Sequence, residues 1–354
     1  MIKNYFLVAW RSLMKQKVYS LIKIGGFALG IAACFLIALY IKNEVSYDKS
    51  WAHADRTYRL IGEFNDNGKI IRDAGGWPAP TTKALKQDFP EVEKAGRLMP
   101  YPSFYGGGSN QIRSIDQRQN TYEEGFTYAD QDILDILEVP MVYGERSKAL
   151  AEPNTIVLTE RMAAKYFPNQ NPVGKIMILN NDEKTLFKVG GVIEDFPATS
   201  HLQYNFLLSL TNHELWPGEQ NLWLASNYPV YILLKQGADP LQFQNKLSLI
   251  LKKYYIPAMK SAGRMDADKT EKNARLMIQK ITDVHLYSFD IHDSFENGDI
   301  RFVWLFGAIA CFILIIACIN FINLSTAKSA NRAKEVGLRK VVGSHRINLV
   351  LQFL

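Results

Sequence analysis

Phe302–Leu324 reads FVWLFGAIACFILIIACINFINL, 23 residues without a charged side chain. As a helix it reaches ~34 Å, and a bilayer core is about 30 Å thick. A second run, Ile24–Ile41, reads IGGFALGIAACFLIALYI, 18 residues also without a charge. It reaches ~27 Å. A core helix of a soluble domain rarely goes that far without a polar face. A secretory signal ends in a small-x-small cleavage site, whereas this run leads into ALYIKNEV. Both runs are expected to be transmembrane helices.

Outward from these two runs, charge sets the expected topology. Residues 1–41 carry Lys3, Arg11, Lys15, Lys17 and Lys23 and no acid. Residues 325–354 carry Lys328, Arg332, Lys334, Arg339, Lys340 and Arg346 against Glu335 alone. Residues 42–300 hold 29 basic and 34 acidic side chains, so the formal +6 of the whole chain comes from the membrane flanks. It is no nucleic-acid signal. Short loops rich in Lys and Arg stay in the cytoplasm, which puts both ends there and residues 42–300 outside. The basic flanks suit anionic lipid headgroups. The three cysteines, Cys34, Cys311 and Cys318, all lie in the apolar runs. The outer domain, at roughly 250 residues, is therefore expected to rest on its hydrophobic core alone.

Residues 1–17 pattern as an amphipathic interfacial helix, with Ile2, Tyr5, Phe6, Ala9, Trp10, Leu13 and Met14 on one face. The expected layout is then a membrane helix over 18–41, an outer domain over 42–300, a second membrane helix over 301–324 and a cytoplasmic segment over 325–354. Gly26 and Gly30 share a helix face, where small residues admit a second helix. Chance is the plain alternative, since glycine is common in such helices. Asn320 and Asn323 also share a face, and polar groups in hydrocarbon need partners.

The outer domain mixes both kinds of element, the α+β class. Strands are expected at Arg56–Phe64, Thr155–Leu158, Phe187–Ile193 and Tyr228–Leu234. Helices are expected at Pro78–Phe89, from Thr159 through Phe167, and over Asp239–Tyr255. Thr159 and Asp239 are their candidate N-caps, Asp239 preceding a first-turn Pro240. Gly106–Asn110 and the polar stretch Met259–Lys272 read as connectors that mark subdomain borders. Past Leu324 the helical pattern continues, with Glu335 and Arg339 at i, i+4, and Gly337 and Gly343 are expected to interrupt it. Ile347, Val350, Leu351 and Leu354 start another apolar stripe, which predicts a longer protein.

Candidate chemistry is sparse. There is no G-x-x-x-x-G-K-[ST] phosphate loop. The six histidines show neither H-x-x-x-H nor H-E-x-x-H spacing, so no catalytic or metal site is expected. Asp195, Ser200 and His201 could be drawn as orienter, nucleophile and base. They lie in EDFPATSHLQYNF between two expected strands, without a strand–turn–helix elbow. Asp-Phe-Pro-x-x-Ser reads better as a turn with side-chain bonds to backbone. Asp130, Asp132 and Asp135 open an expected helix, where negative charge is stabilising.

Three stretches together resemble the MacB/FtsX-like permeases of ABC transporters. The first is NYFLVAWRSLMKQKVYSLIKIGGFALGIAACFLI. The second is the middle, with Pro153, Val157-Leu158-Thr159, Ala164, Phe167, Asn171-Pro172-Val173-Gly174 and Val189-Gly190-Gly191-Val192. The third is NRAKEVGLRKVVGSHRINLVLQFL. The resemblance implies a bacterial inner-membrane protein with a porter-like and a second outer subdomain. It implies a permease of which this chain is the N-terminal half or less, and a homo- or heterodimer of such permeases. A cytoplasmic ATPase partner would hold ATP and Mg, so this chain itself needs no cofactor and is no enzyme. A periplasmic adaptor or substrate protein is a further possible partner. The implied activity is export of a drug, peptide or lipoprotein by mechanotransmission. The segment Lys334–Gly343 matches the family's contact with the ATPase, giving Lys334, Glu335, Gly337, Arg339, Lys340 and Gly343 as coupling candidates. The alternative is a non-transporting membrane regulator or sensor with an extracytoplasmic ligand domain.

Overall fold

The computed structural model describes residues 17–99, 110–293 and 295–341. The expected interfacial helix over 1–17 lies outside them except for Lys17, as do the loop residues 106–109, Gly343 and the apolar stripe from Ile347. The chain divides into two compact units, Met1–Asn43 with Ile300–Leu354, and Glu44–Asp299.

The first long helix is α1 (Lys17–Glu44). Beyond it, β1 (Thr57–Asp66) and β2 (Lys69–Asp73) form a hairpin. Its tip is Asn67-Gly68, both at positive φ, the conformation a tight two-residue turn demands. Then come α2 (Thr81–Asp88) and β3 (Val92–Met99). Far along the chain follow β12 (Val230–Leu234), a helical stretch opening with α5 (Pro240–Lys246), then α6 (Ala267–Asn273) and β13 (Ala274–Lys280). The strand order is β13-β1-β12-β3 with every neighbouring pair antiparallel. This is a βαββαβ sheet whose crossover helices cover one face. Leu60, Leu85, Phe89, Phe243, Leu247 and Ile250 fill the space between sheet and helices.

Residues 100–229 are inserted between the second and third strands of that unit. They contribute β4 (Asn110–Ser114), β5 (Thr121–Glu123), β6 (Phe126–Ala129), α3 (Gln131–Leu137), β7 (Met141–Tyr143), β8 (Thr155–Thr159), α4 (Glu160–Tyr166), β9 (Ile176–Leu179), β10 (Leu186–Ile193) and β11 (Phe206–Ser209). The central pairs β6–β11 and β8–β10 are parallel. Strands of such sheets are covered on both faces and read as unbroken apolar or β-branched runs, as TIVLT and FLLS do. Leu98 and Met99 of β3 pair with β6, so one strand belongs to both halves of the sheet. A short β14 (Ile291–His292) adds to β2.

The expected strands and helices of the outer unit are present, with ends within three residues of expectation, except that the helical stretch expected over Asp239–Tyr255 continues in several pieces to Ser261. Asp239 caps α5, its Oδ1 accepting from the N–H groups of Leu241 (2.8 Å) and Gln242 (3.3 Å). Thr159 holds the N-cap position of α4, but its hydroxyl makes no cap bond. Two expectations fail. Met259–Lys272 is not a border connector: it contains most of α6 and lies inside the βαββαβ unit, where buried Met259 and Ala267 tie it to the core. Gly337 does not interrupt the last helix, α7 (Ile300–Val341), which runs continuously through it. One helical glycine costs only about 1 kcal/mol, too little to break so long a helix. Two helices long and apolar enough to cross a membrane, over Ile24–Glu44 and Ile300–Asn323, thus flank an α+β unit.

Candidate functional site

Within the helical unit, α1 and α7 pack antiparallel. Phe27 lies against Phe321 with ring centroids 5.7 Å apart, Cys34 Sγ donates to the Ala310 carbonyl at 3.2 Å, and Tyr40 meets Phe306 edge-on at 5.3 Å. A Cβ built on Gly30 would fall 2.9 Å from Ala317 Cβ, and one on Gly26 would fall 3.6 Å from Asn320 Nδ2. Asn323 is exposed, one turn beyond Asn320. Lys334, Glu335, Gly337, Arg339 and Lys340 all lie on helical backbone of α7, and Gly343 is outside the described residues.

In the outer unit the segment that follows α1 turns sharply inward. Asp48 sits at positive φ (56°) with no exposed surface, its N–H donating to the Thr199 carbonyl at 2.7 Å. Asp tolerates that left-handed conformation better than most residues. Its Oδ1 accepts from Trp51 Nε1 (3.1 Å), Ser200 Oγ (3.0 Å) and the His201 N–H (3.2 Å). Oδ2 lies 2.8 Å from His201 Nδ1. On the far side of the ring, His201 Nε2 is 2.7 Å from the Tyr231 hydroxyl on β12. Burial pushes the Asp48 carboxyl up, but the charge and hydrogen bonds of His201, with the Trp51 bond, outweigh it and hold the group below the usual carboxylate value. Burial raises Tyr231 well above a free phenol, although Arg59 opposes it.

The segment leading to α7 is anchored in the same place. Asp293 and Arg59 form an ion pair at 2.7 Å with both side chains 1% exposed. The other donors of Arg59 reach Gln279 Oε1 and Ser288 Oγ, each at 2.7 Å. Buried charge is tolerated when it is paired and each guanidinium nitrogen finds an acceptor, as here. Asp293 also accepts from the Phe295 N–H, and the Phe295 ring stands edge-on to His201 at 5.1 Å. Nearby, His285 Nε2 is 2.9 Å from Glu44, and its ring stacks on Tyr47 with centroids 3.5 Å apart. Gly298 runs directly over that pair. A Cβ there would lie 2.8 Å from His285 Nε2 and 2.9 Å from Glu44 Oε2. Both chain passages at the edge of this unit, Glu44–Asp48 and Asp293–Gly298, are thus fastened by buried polar contacts to neighbouring strands of the sheet, Asp48 through His201 to Tyr231 of β12 and Asp293 to Arg59 of β1.

The sequence reading singled out Ser200 and His201 but paired them with Asp195. Asp195 Oδ1 instead accepts from the Arg161 N–H at 3.2 Å, so no such triad is assembled. Ser200 does close a turn, its Oγ accepting from the Leu202 N–H at 3.0 Å. Asp48, Arg59, Tyr231 and Asp293 were not anticipated. The available signal was a Tyr-Asp pair a few residues after an apolar run.

Fold and site define an α+β domain flanked in sequence by two helices long and apolar enough to cross a membrane. The family model of the MacB-like periplasmic core domain matches residues 20–250, and the chain belongs to that family of transporter permeases. It is 22% identical over 351 residues to the macrolide export ATP-binding/permease protein MacB of Bdellovibrio bacteriovorus, covering 98% of this chain and 49% of that protein. The MacB of Chlorobium luteolum is 23% identical over 354 residues, covering 98% and 48%. The chain therefore spans about half the length of these curated relatives. A domain of a putative permease from Porphyromonas gingivalis is similar over 65% of this chain and 93% of its own, at 21% identity and a TM-score of 0.49.

Proposed function

We propose that this chain is the permease subunit of a MacB/FtsX-type ABC transporter in a bacterial inner membrane, with both ends cytoplasmic and Glu44–Asp299 outside. A separate cytoplasmic ATPase binds ATP and Mg, and the coupling segment around Glu335 and Arg339 receives its motion. α1 and α7 carry that motion outward as a pair, and a second permease copy completes the transporter. The exported cargo is a drug, peptide or lipoprotein, with a periplasmic adaptor or substrate protein as a further partner.

One observation carries this reading. Both passages out of the helix pair end in buried polar contacts on paired strands, Asp48 through His201 on Tyr231 of β12 and Asp293 on Arg59 of β1, so displacement of either passage is passed into the sheet. Close-packed interiors transmit strain with little slack. A tether with no mechanical task would need no such fastening on both passages.

The test is affinity purification of the full-length protein from its native membrane. An ABC ATPase should co-purify, and its hydrolysis should drop severalfold on Glu335→Arg or Arg339→Glu. Recovery without any ATPase, under conditions that keep other ABC complexes intact, would replace this reading with a membrane regulator.

A further inference from the structure

The βαββαβ half holds a cavity of about 300 Å³, at the small end of the range of ligand pockets. Phe64, Trp77, Leu251, Tyr255, Met259 and Leu276 form its walls. Trp77 is pinned at three points. Its N–H donates to the Tyr228 carbonyl at 2.9 Å, its carbonyl accepts from the Tyr228 N–H at 3.2 Å, and its Nε1 donates to the Leu60 carbonyl at 3.0 Å. Gly62 of β1 lies beneath the ring. A Cβ there would fall 3.1 Å from the Trp77 ring and 3.8 Å from the Asp73 carbonyl, so the indole and the end of β2 meet over that glycine. Phe64 already draws one cation: Lys269 Nζ stands 5.8 Å from its ring centroid while pairing with Asp66 at 2.7 Å.

The pleat sorts the charges around this cavity. Across the β1–β2 and β1–β13 ladders Gly62 pairs with Asp73 and Leu276, and Phe64 with Ile71 and Ala274. Facing residues of paired strands share a face, and successive residues alternate. Asp73 therefore stands on the cavity side, whereas Glu63, Arg72 and Arg275 stand on the other, where Glu63 holds Arg72 at 3.0 Å. Of the cavity's remaining charges, Asp266 takes both branches of Arg264 at 3.1 and 3.0 Å. Asp73 has no such partner. Its Oδ1 accepts from the N–H groups of Gly75 and Gly76 at 2.9 and 3.1 Å, and its Oδ2 lies 3.1 Å from Nδ1 of His292, a side chain 81% exposed. Among the described residues no lysine or arginine pairs with Asp73. The cavity side keeps one carboxylate that no fixed cation balances.

We propose that this cavity binds a small organic cation, a tertiary or quaternary amine on an apolar body, with its charge between Asp73 and the Trp77 ring. Indole faces attract such cations more than the other aromatic side chains do, and one placed charge in an apolar pocket fixes the orientation of what enters it. The volume takes a body of about ten non-hydrogen atoms at ~30 Å³ each. This site stands whether or not the chain transports anything.

The experiment titrates (4-bromobenzyl)trimethylammonium into the full-length protein in phosphatidylcholine nanodiscs and follows tryptophan emission, which bromine quenches on contact. Quenching should saturate, and the saturable part should vanish in Trp77→Phe. On the native protein 4-bromobenzyl alcohol, the same ring without the charge, should need at least about tenfold more to reach half-saturation. Asp73→Asn keeps an acceptor for the Gly75 and Gly76 N–H groups and removes the charge, so half-saturation by the cation should rise about fivefold. Glu63→Gln removes a carboxylate from the opposite face of the same ladder and should leave the value within about twofold. A titration that never saturates, or a saturable part that survives Trp77→Phe, overturns the site. Equal half-saturation by alcohol and cation overturns the preference for charge. An unchanged value in Asp73→Asn, or an equal rise in Glu63→Gln, overturns Asp73 as the group that holds it.

Discussion

His201 Nδ1 lies 2.8 Å from Asp48 Oδ2, and neither side chain has any exposed surface. An interior pair of this kind adds little over a well-packed apolar pair, but removing one partner strands the other charge. Asp48→Asn is therefore expected to cost about 3–5 kcal/mol at pH 6. The Asp48 carboxyl is lowered on folding, so its contribution is complete above the unfolded value of about 3.9 and drains away as pH falls through the folded one. Denaturant titrations of native protein and Asp48→Asn should differ fully at pH 6, and the difference should shrink as the pH falls below about 4 and through the folded value. A gap that does not shrink with falling pH would mean Asp48 acts by shape rather than charge.

Gly298→Ala probes the second fastening. The added methyl would enter the space between His285 Nε2 and Glu44 Oε2, and overpacking of this kind costs about 1–3 kcal/mol. Thermal unfolding should show that loss. His285→Ala removes one side of the collision, so the double variant should lose less than the two single losses combined. Strict additivity would place the strain elsewhere.

The helix pair offers a matched comparison one turn apart. A Cβ on Gly30 collides with Ala317, whereas one on Gly25 meets nothing within 4 Å. Gly30→Val should spread the pair and Gly25→Val should not. Cys34 reaches the backbone at Ala310, so Ala310→Cys in a Cys311→Ser, Cys318→Ser background reports the spacing as disulfide yield on oxidation. The yield should fall severalfold with Gly30→Val and hold with Gly25→Val. Equal yields would put the close approach of the helices elsewhere.

Local pattern made much of this legible. Charge-free runs gave the two membrane-length helices, and β-branched runs gave β8, β10 and β12. Asp239 before Pro240 marked a helix start that is capped as expected. What stayed hidden was long-range. Asp48 and His201 are 153 residues apart, and no periodicity ties an aspartate after a span to a histidine in a distant turn. The insertion of residues 100–229 inside a βαββαβ sheet is equally silent, since each strand reads the same whatever its neighbour. Polarity misled over Met259–Lys272, where one buried side of α6 suffices to fold a charged segment.

Asp130 is where sequence and structure assign one residue different work. It precedes α3 and reads as a helix-start acid, yet it makes no cap bond. Its carboxylate is turned to Arg97 of β3, taking Nε, Nη2 and the backbone N–H at 2.8, 2.8 and 2.9 Å. The Arg97 side chain is 8% exposed and lies over the Tyr228 ring, where β3 serves both halves of the sheet. Asp130→Asn separates the two roles, because Asn caps a helix as well as Asp does but cannot balance a guanidinium. If the acid served the helix end, the variant would keep its stability. The geometry instead predicts a loss of about 3 kcal/mol, the cost of leaving a largely buried charge alone. Chemical denaturation settles it, with Asp132→Asn as control. Asp132 is in the first turn of the same helix and pairs with the more exposed Lys86 and Lys94, so that change should cost under about 1 kcal/mol.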